Sequence, residues 1–329
     1  MMTKLARDAT EICGQPAPNL TWLHKIAVHF CRARYNAGMD TPQRQSGFAV
    51  LVGRTNAGKS TLLNALVGSK IAIVTPKPQT TRDTYHGIVT RPAGQIVFVD
   101  TPGIFQTQPS RLVANLHHKI RDAIEGIDVI VHVADPTRSI GIEDQRVTSI
   151  VERVPHPRIL VINKLDQSNR PFRESWLERG PQYSSVIELS ALTGKNVESL
   201  ITAIFQHLPV GPLNYPEGQL SNVTHEFWIS EIIREKLFLM TSQEVPYTAT
   251  VQVEEVTDRK DKAGKPLVHI RAVILTTDDR YQRMLIGQGA SKIRDIGSFA
   301  RKELEVALNK KVFLDLTVLI DKDWIDKQR

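Results

Sequence analysis

The chain of 329 residues contains little cysteine, few aromatic residues and no long apolar segment. Its cysteines, Cys13 and Cys31, both lie before residue 45, so neither a disulfide framework nor a cysteine-based metal site holds the rest together. This scarcity favours a reducing compartment. No segment approaches the run of about twenty apolar residues that crosses a bilayer, which excludes a transmembrane protein. The remaining composition, 41% hydrophobic residues, is that of a globular chain long enough for two domains.

The charge also lacks a dominant sign, because 42 lysines and arginines stand against 35 aspartates and glutamates. This modest excess excludes a uniformly basic chain that coats a polyanion. Cations nevertheless cluster between Arg280 and Lys302, where Asp295 is the single acid. A basic patch on an otherwise balanced segment indicates a localised contact with nucleic acid.

Changes in apolar periodicity divide the chain into five regions. Residues 1–45 are predicted to form a basic N-terminal extension, interpreted either as a targeting segment or as a misassigned leader. Residues 46–207 alternate apolar runs with helical periodicity, which predicts an α/β domain with a mostly parallel sheet and helices on both faces. Prolines within residues 208–225 predict a linker. Residues 226–324 predict a small α+β domain in the order helix, strand, strand, helix, helix, strand, and residues 325–329 are a tail.

The two predicted domains differ in the kind of pattern they show. In the first domain, near-continuous apolar runs predict buried strands at Phe48–Val52, Ile96–Val99, Val129–Val133, Ile159–Ile162 and Val186–Leu189. In the second, we expect strands near Tyr247–Val256, Leu267–Leu275 and Val312–Leu319, and helices near Glu226–Met240, Ser291–Ile296 and Phe299–Leu308. The glutamates of Glu226–Met240 favour a packing helix over a membrane-surface element.

The first apolar run is followed by a glycine-containing loop, Gly53 to Ser60, and then by a helical pattern. The loop matches G-x-x-x-x-G-K-[ST], whose backbone N–H groups wrap a phosphate. Lys59 is expected to reach the terminal phosphates, and the Ser60 hydroxyl to ligate Mg²⁺. The predicted phosphate-binding residues are Gly53, Asn56, Ala57, Gly58, Lys59, Ser60 and Thr61.

Three further motifs follow predicted strands, in the order that a guanine-nucleotide site requires. Asp100 is expected to hold Mg²⁺ through water, and Gly103 to offer its N–H to a γ-phosphate. Asp166 is expected to accept two hydrogen bonds from the guanine edge, which adenine does not supply. Because ligands of open α/β sheets bind at the carboxyl ends of strands, these motifs converge. The predicted residues are Asp100, Thr101, Pro102, Gly103, Asn163, Lys164, Asp166, Ser190, Ala191 and Leu192.

This set of motifs resembles the translation-factor-related family of GTPases. The resemblance implies a switch loop at Pro78–Asp83 in which Thr81, or alternatively Thr80, ligates Mg²⁺ only when a γ-phosphate is present. It also implies Lys59, Thr81 and Gly103 as the catalytic residues. Where Ras-like proteins have a water-positioning glutamine, this chain has Ile104. The resemblance therefore implies slow intrinsic hydrolysis, stimulated by K⁺ bound near Asn56.

The second domain contains a glycine-rich turn that opens a basic helix, and in its αββααβ order it resembles a type II KH domain. A turn joining two packed helices is the other interpretation. The second glycine of the usual G-x-x-G is replaced by Ala290, so either Ala290 adopts a helical N-terminal conformation or the loop shifts by one residue. The resemblance implies RNA contacts from Arg283, Ile286, Gly287, Gln288, Gly289, Ala290, Lys292, Ile293 and Arg294.

A GTPase of this kind joined to a KH domain resembles the Era-type GTPases, from about Gly47 to Trp324. The stretch Ser230–Leu237 adds to this resemblance. It implies a monomeric switch in 30S ribosomal subunit biogenesis that binds GTP, GDP, Mg²⁺ and the 3′ region of small-subunit rRNA. It also implies a cytoplasmic location with a peripheral membrane pool; an organelle is the alternative. Two other functions remain open: an RNA chaperone with a non-hydrolysing pocket, and a GTPase of tRNA modification or large-subunit assembly.

Overall fold

The computed structural model describes residues 44–77, 80, 85–101, 126–241, 244–261 and 263–324. The predicted extension before Arg44 and the tail after Trp324 lie outside the described residues. From Arg44 onward the chain forms one compact unit. Within it, two hydrophobic cores are built on two separate sheets.

The first sheet has six strands in the order β2-β3-β1-β4-β5-β6. All neighbours are parallel except β2 and β3, which form an antiparallel pair at one edge. The five predicted apolar runs all lie in this sheet, which confirms the mainly parallel α/β fold. The strands are β1 Gln45–Val52, β2 Tyr85–Arg91, β3 Gly94–Asp100, β4 Val129–Ala134, β5 Arg158–Ile162 and β6 Ser185–Glu188.

Strand β2 was not predicted, because its polar ends and Gly87, its third residue, leave only a short apolar run. It is nevertheless paired with β3 along its length. Its outer edge is covered by the predicted linker, since the Ile88 N–H donates to the Leu220 carbonyl oxygen at 2.9 Å. The linker therefore protects a sheet edge that would otherwise present unpaired backbone groups.

Four helices of the described residues accompany this sheet: α1 Lys59–Val67, α2 Ile142–Glu152, α3 Arg173–Leu177 and α4 Val197–Phe205. Strands β3 and β4 are buried at every position, because helices and loops cover both faces of the sheet. Side chains from α1 and α4 join those of β1, β3, β4 and β5 in the largest hydrophobic cluster. The carboxyl ends of the five parallel strands therefore lie at the same edge of the sheet.

The second domain is a three-stranded sheet, β7-β8-β9, with helices against it. Strands β7 and β8 are antiparallel, and β9 is a parallel edge strand next to β8. The predicted αββααβ order is confirmed. The elements are α5 His225–Met240, β7 Ala249–Lys260, β8 Pro266–Thr276, α6 Asp279–Ile286, α7 Ser291–Leu308 and β9 Lys311–Ile320.

The prediction of separate helices at Ser291–Ile296 and Phe299–Leu308 is wrong, because both lie in the continuous helix α7. Gly297 does not break this helix; it faces β9, where a Cβ atom would lie 3.9 Å from Leu316 Cδ2. The other helix of the αα pair is α6, which the Asp278 side chain caps by accepting a hydrogen bond from the Tyr281 N–H at 3.1 Å.

Helix α5 packs within the protein, with charged as well as apolar side chains buried along it. Glu231, Arg234 and Glu235 are among its buried residues. No helix in the described part of the chain is long and apolar enough to cross a membrane.

Candidate nucleotide site and nucleic-acid groove

A cavity of about 410 Å³ opens where β1 ends and α1 begins. Its volume falls within the range of small-molecule pockets, about 300–1,000 Å³. The structure brings together at this cavity six residues that the sequence predicted for nucleotide binding: Asn56, Gly58, Lys59, Ser60, Thr61 and Lys164. Thr81, Pro102 and Gly103 lie outside the described residues, so their assignment stays a prediction.

Two glycines of the phosphate loop have no room for a side chain. A Cβ atom on Gly53 would lie 2.5 Å from the Val133 carbonyl oxygen, and one on Gly58 would lie 2.3 Å from Asn163 Nδ2. Gly58 also has φ of +97°, a conformation that L-residues with side chains rarely adopt. The phosphate loop therefore lies directly against β4 and against Asn163.

Lys59 is buried beneath this loop, and its Nζ donates to the carbonyl oxygens of Gly53 (3.1 Å) and Arg54 (2.9 Å). Burial lowers the pKa of Lys59 to about 8, although the nearby carboxylates of Asp100 and Glu143 oppose the shift. A phosphate group bound in the loop would favour the ammonium form. Whether Lys59 is protonated therefore depends on whether an anion is bound in the site.

The residues at the start of α1 fit Mg²⁺. Ser60 Oγ lies 3.0 Å from Asp100 Oδ2, and Asp100 is completely buried at the end of β3. A hydroxyl and a carboxylate are the oxygen ligands that this ion prefers. The hydroxyl of Thr80, the alternative switch ligand, is engaged with Thr75 Oγ1 at 2.7 Å. The hydroxyl of Thr101 is engaged as well, because it donates a hydrogen bond to the Leu51 carbonyl oxygen at 2.8 Å.

Asn163 joins three of the predicted motifs. Its Nδ2 donates to the Ala57 carbonyl oxygen at 2.9 Å, and its Oδ1 accepts from the Ala191 N–H at 2.9 Å. The side chain is only 2% exposed. Asn163 therefore positions the phosphate loop and the Ala191 loop relative to each other.

Other residues predicted to bind the guanine base are positioned by hydrogen bonds to neighbouring side chains. Asp166 Oδ1 accepts a hydrogen bond from Ser190 Oγ at 2.5 Å. Lys164, which has φ of +61°, donates to Asp135 Oδ2 at 2.6 Å. Leu192 is exposed. These contacts hold the charged groups in place at the edge of the sheet.

The sequence analysis missed Asp135, which directly follows β4. Burial alone would raise the pKa of Asp135, but hydrogen bonds from Lys164 and Thr137 hold it below its usual value. Arg54 contacts the same carboxylate at 3.3 Å and Asp144 of α2 at 3.1 Å. The position of Asp135 after a predicted strand was a signal that could have found it. This buried charge network ties the phosphate loop to Lys164.

A second cavity, of about 480 Å³, lies between α7 and the edge strand β9. Ile293 and Arg294 were predicted to contact RNA and both line it. The other lining residues were missed, because their contribution depends on how α7 packs against β9: Gly297, Ser298, Arg301, Leu314, Asp315 and Leu316. Apolar side chains beside two arginines, with Asp315 as the one acidic residue of the lining, suit unpaired bases and their phosphates.

The glycine turn before α7 contains three residues with positive φ. Gly287 has φ of +73° and Gly289 has φ of +55°. Ala290 has φ of 60° and ψ of 26°, so the first of the two alternatives, a helical N-terminal conformation for Ala290, is wrong. This left-handed conformation costs an L-residue about 1–2 kcal/mol. Arg294, predicted to contact RNA, donates to the carbonyl oxygens of Gly289 (2.5 Å) and Ala290 (3.2 Å).

Comparisons with known families match both domains. Residues 48–164 match the family described as "50S ribosome-binding GTPase", and residues 244–325 match the KH domain family. The chain is 40% identical over 289 residues to "GTPase Era" of Halothermothrix orenii, covering 86% of this chain and 96% of that protein. It is 39% identical over 296 residues to "GTPase Era" of Geobacter metallireducens, with 88% and 97% covered.

Two solved structures resemble the chain over both domains. Era in complex with MgGDPNP and nucleotides 1506–1542 of 16S ribosomal RNA is 30% identical, with a TM-score of 0.78 over 87% of this chain and 96% of that one. An Era variant from Aquifex aeolicus bound to GDP and AlF4⁻ is 31% identical, with a TM-score of 0.78 over 86% and 96%.

Proposed function

This chain belongs to the Era family of GTPases, and on that premise we propose that it binds the 3′ region of small-subunit rRNA and acts as a nucleotide-controlled switch in 30S subunit assembly. As a member of this family it is a hydrolase acting on GTP, which excludes the chaperone with a non-hydrolysing pocket. The chain is similar along most of its length to an Era structure that contains 16S rRNA. That similarity, together with the groove between α7 and β9, carries the proposal.

In the proposed GTPase site, the phosphate loop binds the β- and γ-phosphates and Lys59 balances their charge. Mg²⁺, held by Ser60 and Thr81 with Asp100 nearby, would neutralise the negative charge that develops on the phosphates. The Gly103 N–H is proposed to contact the γ-phosphate. Asp166 accepts hydrogen bonds from the guanine edge. Asn163 fixes the relative positions of the loops that carry these groups.

We also propose that K⁺ binds near Asn56 and stimulates hydrolysis. Asn56 lies in the cavity wall and its Nδ2 donates to the Pro76 carbonyl oxygen at 2.8 Å, so its amide joins the phosphate loop to the opposite wall. Hydrolysis is expected to be several-fold faster in K⁺ than in Na⁺ at equal ionic strength, and Asn56→Asp is expected to abolish the difference. Equal rates in both salts contradict the K⁺ proposal alone.

In the proposed RNA site, the glycine turn lets the RNA backbone approach the start of α7, and the apolar groove receives bases. Lys292 and Arg301 supply cations close to the path of the phosphates. The scarcity of cysteine supports the cytoplasm as the proposed compartment.

The experiment that tests this function is a titration of the full chain with a short single-stranded RNA from the 3′ end of small-subunit rRNA. Parallel titrations contain a non-hydrolysable GTP analogue, GDP or no nucleotide, and an RNA of scrambled sequence serves as control. We expect tightest binding with the GTP analogue and weaker binding of the scrambled RNA. Failure to bind in all three states, by protein that binds GDP, would contradict the rRNA target.

A further inference from the structure

One wall of the nucleotide cavity is shared with the second domain. This wall segment consists of residues 70–77 together with Thr80. Ile73, Val74, Thr75, Pro76 and Thr80 line the cavity on one side of the segment. Helix α5 of the second domain contacts the same segment. The wall segment therefore contributes to the nucleotide cavity and is also in contact with α5.

Helix α5 holds the wall segment at both ends. At its beginning, Trp228 Nε1 donates to the Lys70 carbonyl oxygen at 2.9 Å. The buried Glu235 accepts from the Val74 N–H at 3.0 Å and from Lys70 Nζ at 2.7 Å. At the other end, Lys77 Nζ donates to the carbonyl oxygens of Phe238 and Thr241, at the negative end of the helix dipole.

The contact nearest to the predicted switch ligand is made by Arg234. Its side chain is 3% exposed, is paired with Glu231 at 2.5 and 2.6 Å, and lies over the Phe238 ring at 5.3 Å. Its Nη2 also donates to the Thr80 carbonyl oxygen at 2.7 Å. A charged donor makes this hydrogen bond stronger than one between neutral groups. The ion pair with Glu231 fixes the guanidinium that makes it.

We propose that Arg234 is a positioning residue of the GTPase site. By holding the carbonyl oxygen of Thr80, it places the next residue, Thr81, where its hydroxyl ligates Mg²⁺ in the GTP-bound state. The inference rests on the proposed role of Thr81. It makes α5 a contact that stabilises the GTP-bound state over the GDP-bound state, and by linkage GTP strengthens the contact between the domains.

The main test is the double variant Glu231→Gln with Arg234→Met in the full chain. It removes both members of the buried pair, so no unpaired charge is left inside the protein. The matched control is the double variant Glu255→Gln with Arg271→Met. Arg271 and Glu255 form another arginine–glutamate pair of the second domain, between β8 and β7. Among the described residues, this pair makes no hydrogen bond to the wall segment.

The readout is the ratio of affinities for a non-hydrolysable GTP analogue and for GDP, each measured over a Mg²⁺ titration. The double variant is expected to lose affinity for the analogue by about tenfold, the effect of one charge-assisted hydrogen bond. Its affinity for GDP is expected to stay within about twofold, and it is expected to require more Mg²⁺. Arg234→Lys, which keeps a cation opposite Glu231, is expected to show a smaller loss. A purely structural contact would not move the ratio.

An unchanged ratio, or an equal fall for both nucleotides, would overturn the proposal. Arg234→Lys provides the same test if the double variant does not fold. Thr81→Ala separates this inference from the role of Thr81. If Thr81→Ala leaves the ratio unchanged, the proposed Mg²⁺ ligand is wrong. If it lowers the ratio and the Arg234 variants do not, only the positioning role is wrong.

Discussion

The nucleotide cavity and the nucleic-acid groove are built in opposite ways. Around the cavity, buried polar side chains connect one loop to the next, as Asn163 and Asp135 do. The groove is lined by apolar side chains, two exposed arginines and one carboxylate, and the turn before α7 has a strained conformation. The cavity is therefore shaped before its ligand arrives, and a single loss there leaves buried groups unpaired. In the groove, each side chain contributes separately and is exposed to salt.

Loss of Asn163 is expected to have the largest effect. Asn163→Ala leaves the Ala57 carbonyl and the Ala191 N–H without their partner, at about 1–3 kcal/mol each. Affinity for GDP is expected to fall by about a hundredfold, as measured with a fluorescent nucleotide. Asn214→Ala, which removes a hydrogen bond to Ser46 away from the motifs, is the control. Similar affinities of the two variants would contradict the rigid, connected cavity.

The second largest effect expected is a pH dependence of the affinity for GDP at the nucleotide cavity. Because the pKa of Lys59 is lowered to about 8 in the folded protein, Lys59 is charged below that pH and loses its proton above it. Phosphate binding requires the cation, so affinity for GDP is expected to be constant from pH 6.5 to 7.5 and to fall by about tenfold by pH 9. Isothermal titration at each pH measures this. A flat profile would show that Lys59 keeps its proton.

A smaller effect is expected in the groove. Arg301→Ala removes one exposed cation, so the affinity for single-stranded RNA is expected to fall several-fold and the slope of log affinity against log salt by about 1. Lys310→Ala, an exposed cation paired with Asp258, is the control. A loss as large as that of the Asn163 variant would show that the groove is as tightly connected as the cavity.

The smallest effect concerns the strained turn. Ala290→Gly relieves a left-handed alanine, and after the extra entropy of the unfolded glycine the net gain is about 0.5 kcal/mol in the free energy of unfolding. Ala300→Gly, in the buried interior of α7, is expected to have the opposite sign, losing about 1 kcal/mol. Chemical denaturation of the two variants measures both. Destabilisation by Ala290→Gly would mean that this turn stores no strain.

The same contrast explains which residues were predictable. The nucleotide motifs could be located because each is a short run of residues at the end of a buried strand, so local order already fixes its chemistry. Lys59, Ser60 and Lys164 line the cavity as expected. Asp135 stands alone after its strand, and only its contacts with Lys164 and Arg54 reveal a role.

In the second domain, Leu314 and Leu316 could not be assigned to the groove, because they belong to it only through the packing of α7 against β9. The prediction of two helices in place of α7 was wrong for a related reason. Gly297 lowers helix propensity locally, but contacts with the sheet hold the helix together.

The sequence by itself determined the buried parallel strands of the first sheet, the αββααβ class of the second domain, the position of the phosphate loop and the presence of a basic glycine turn. These depend on periodicity and on residues that are neighbours in the chain. Only the tertiary structure decided that Asn163 ties two loops, that the linker covers β2, and that Arg234 contacts Thr80. Those contacts join residues from 28 to 154 positions apart. The Asn163 and Arg234 side chains are buried, which strengthens their contacts, and burial is a property of the folded chain.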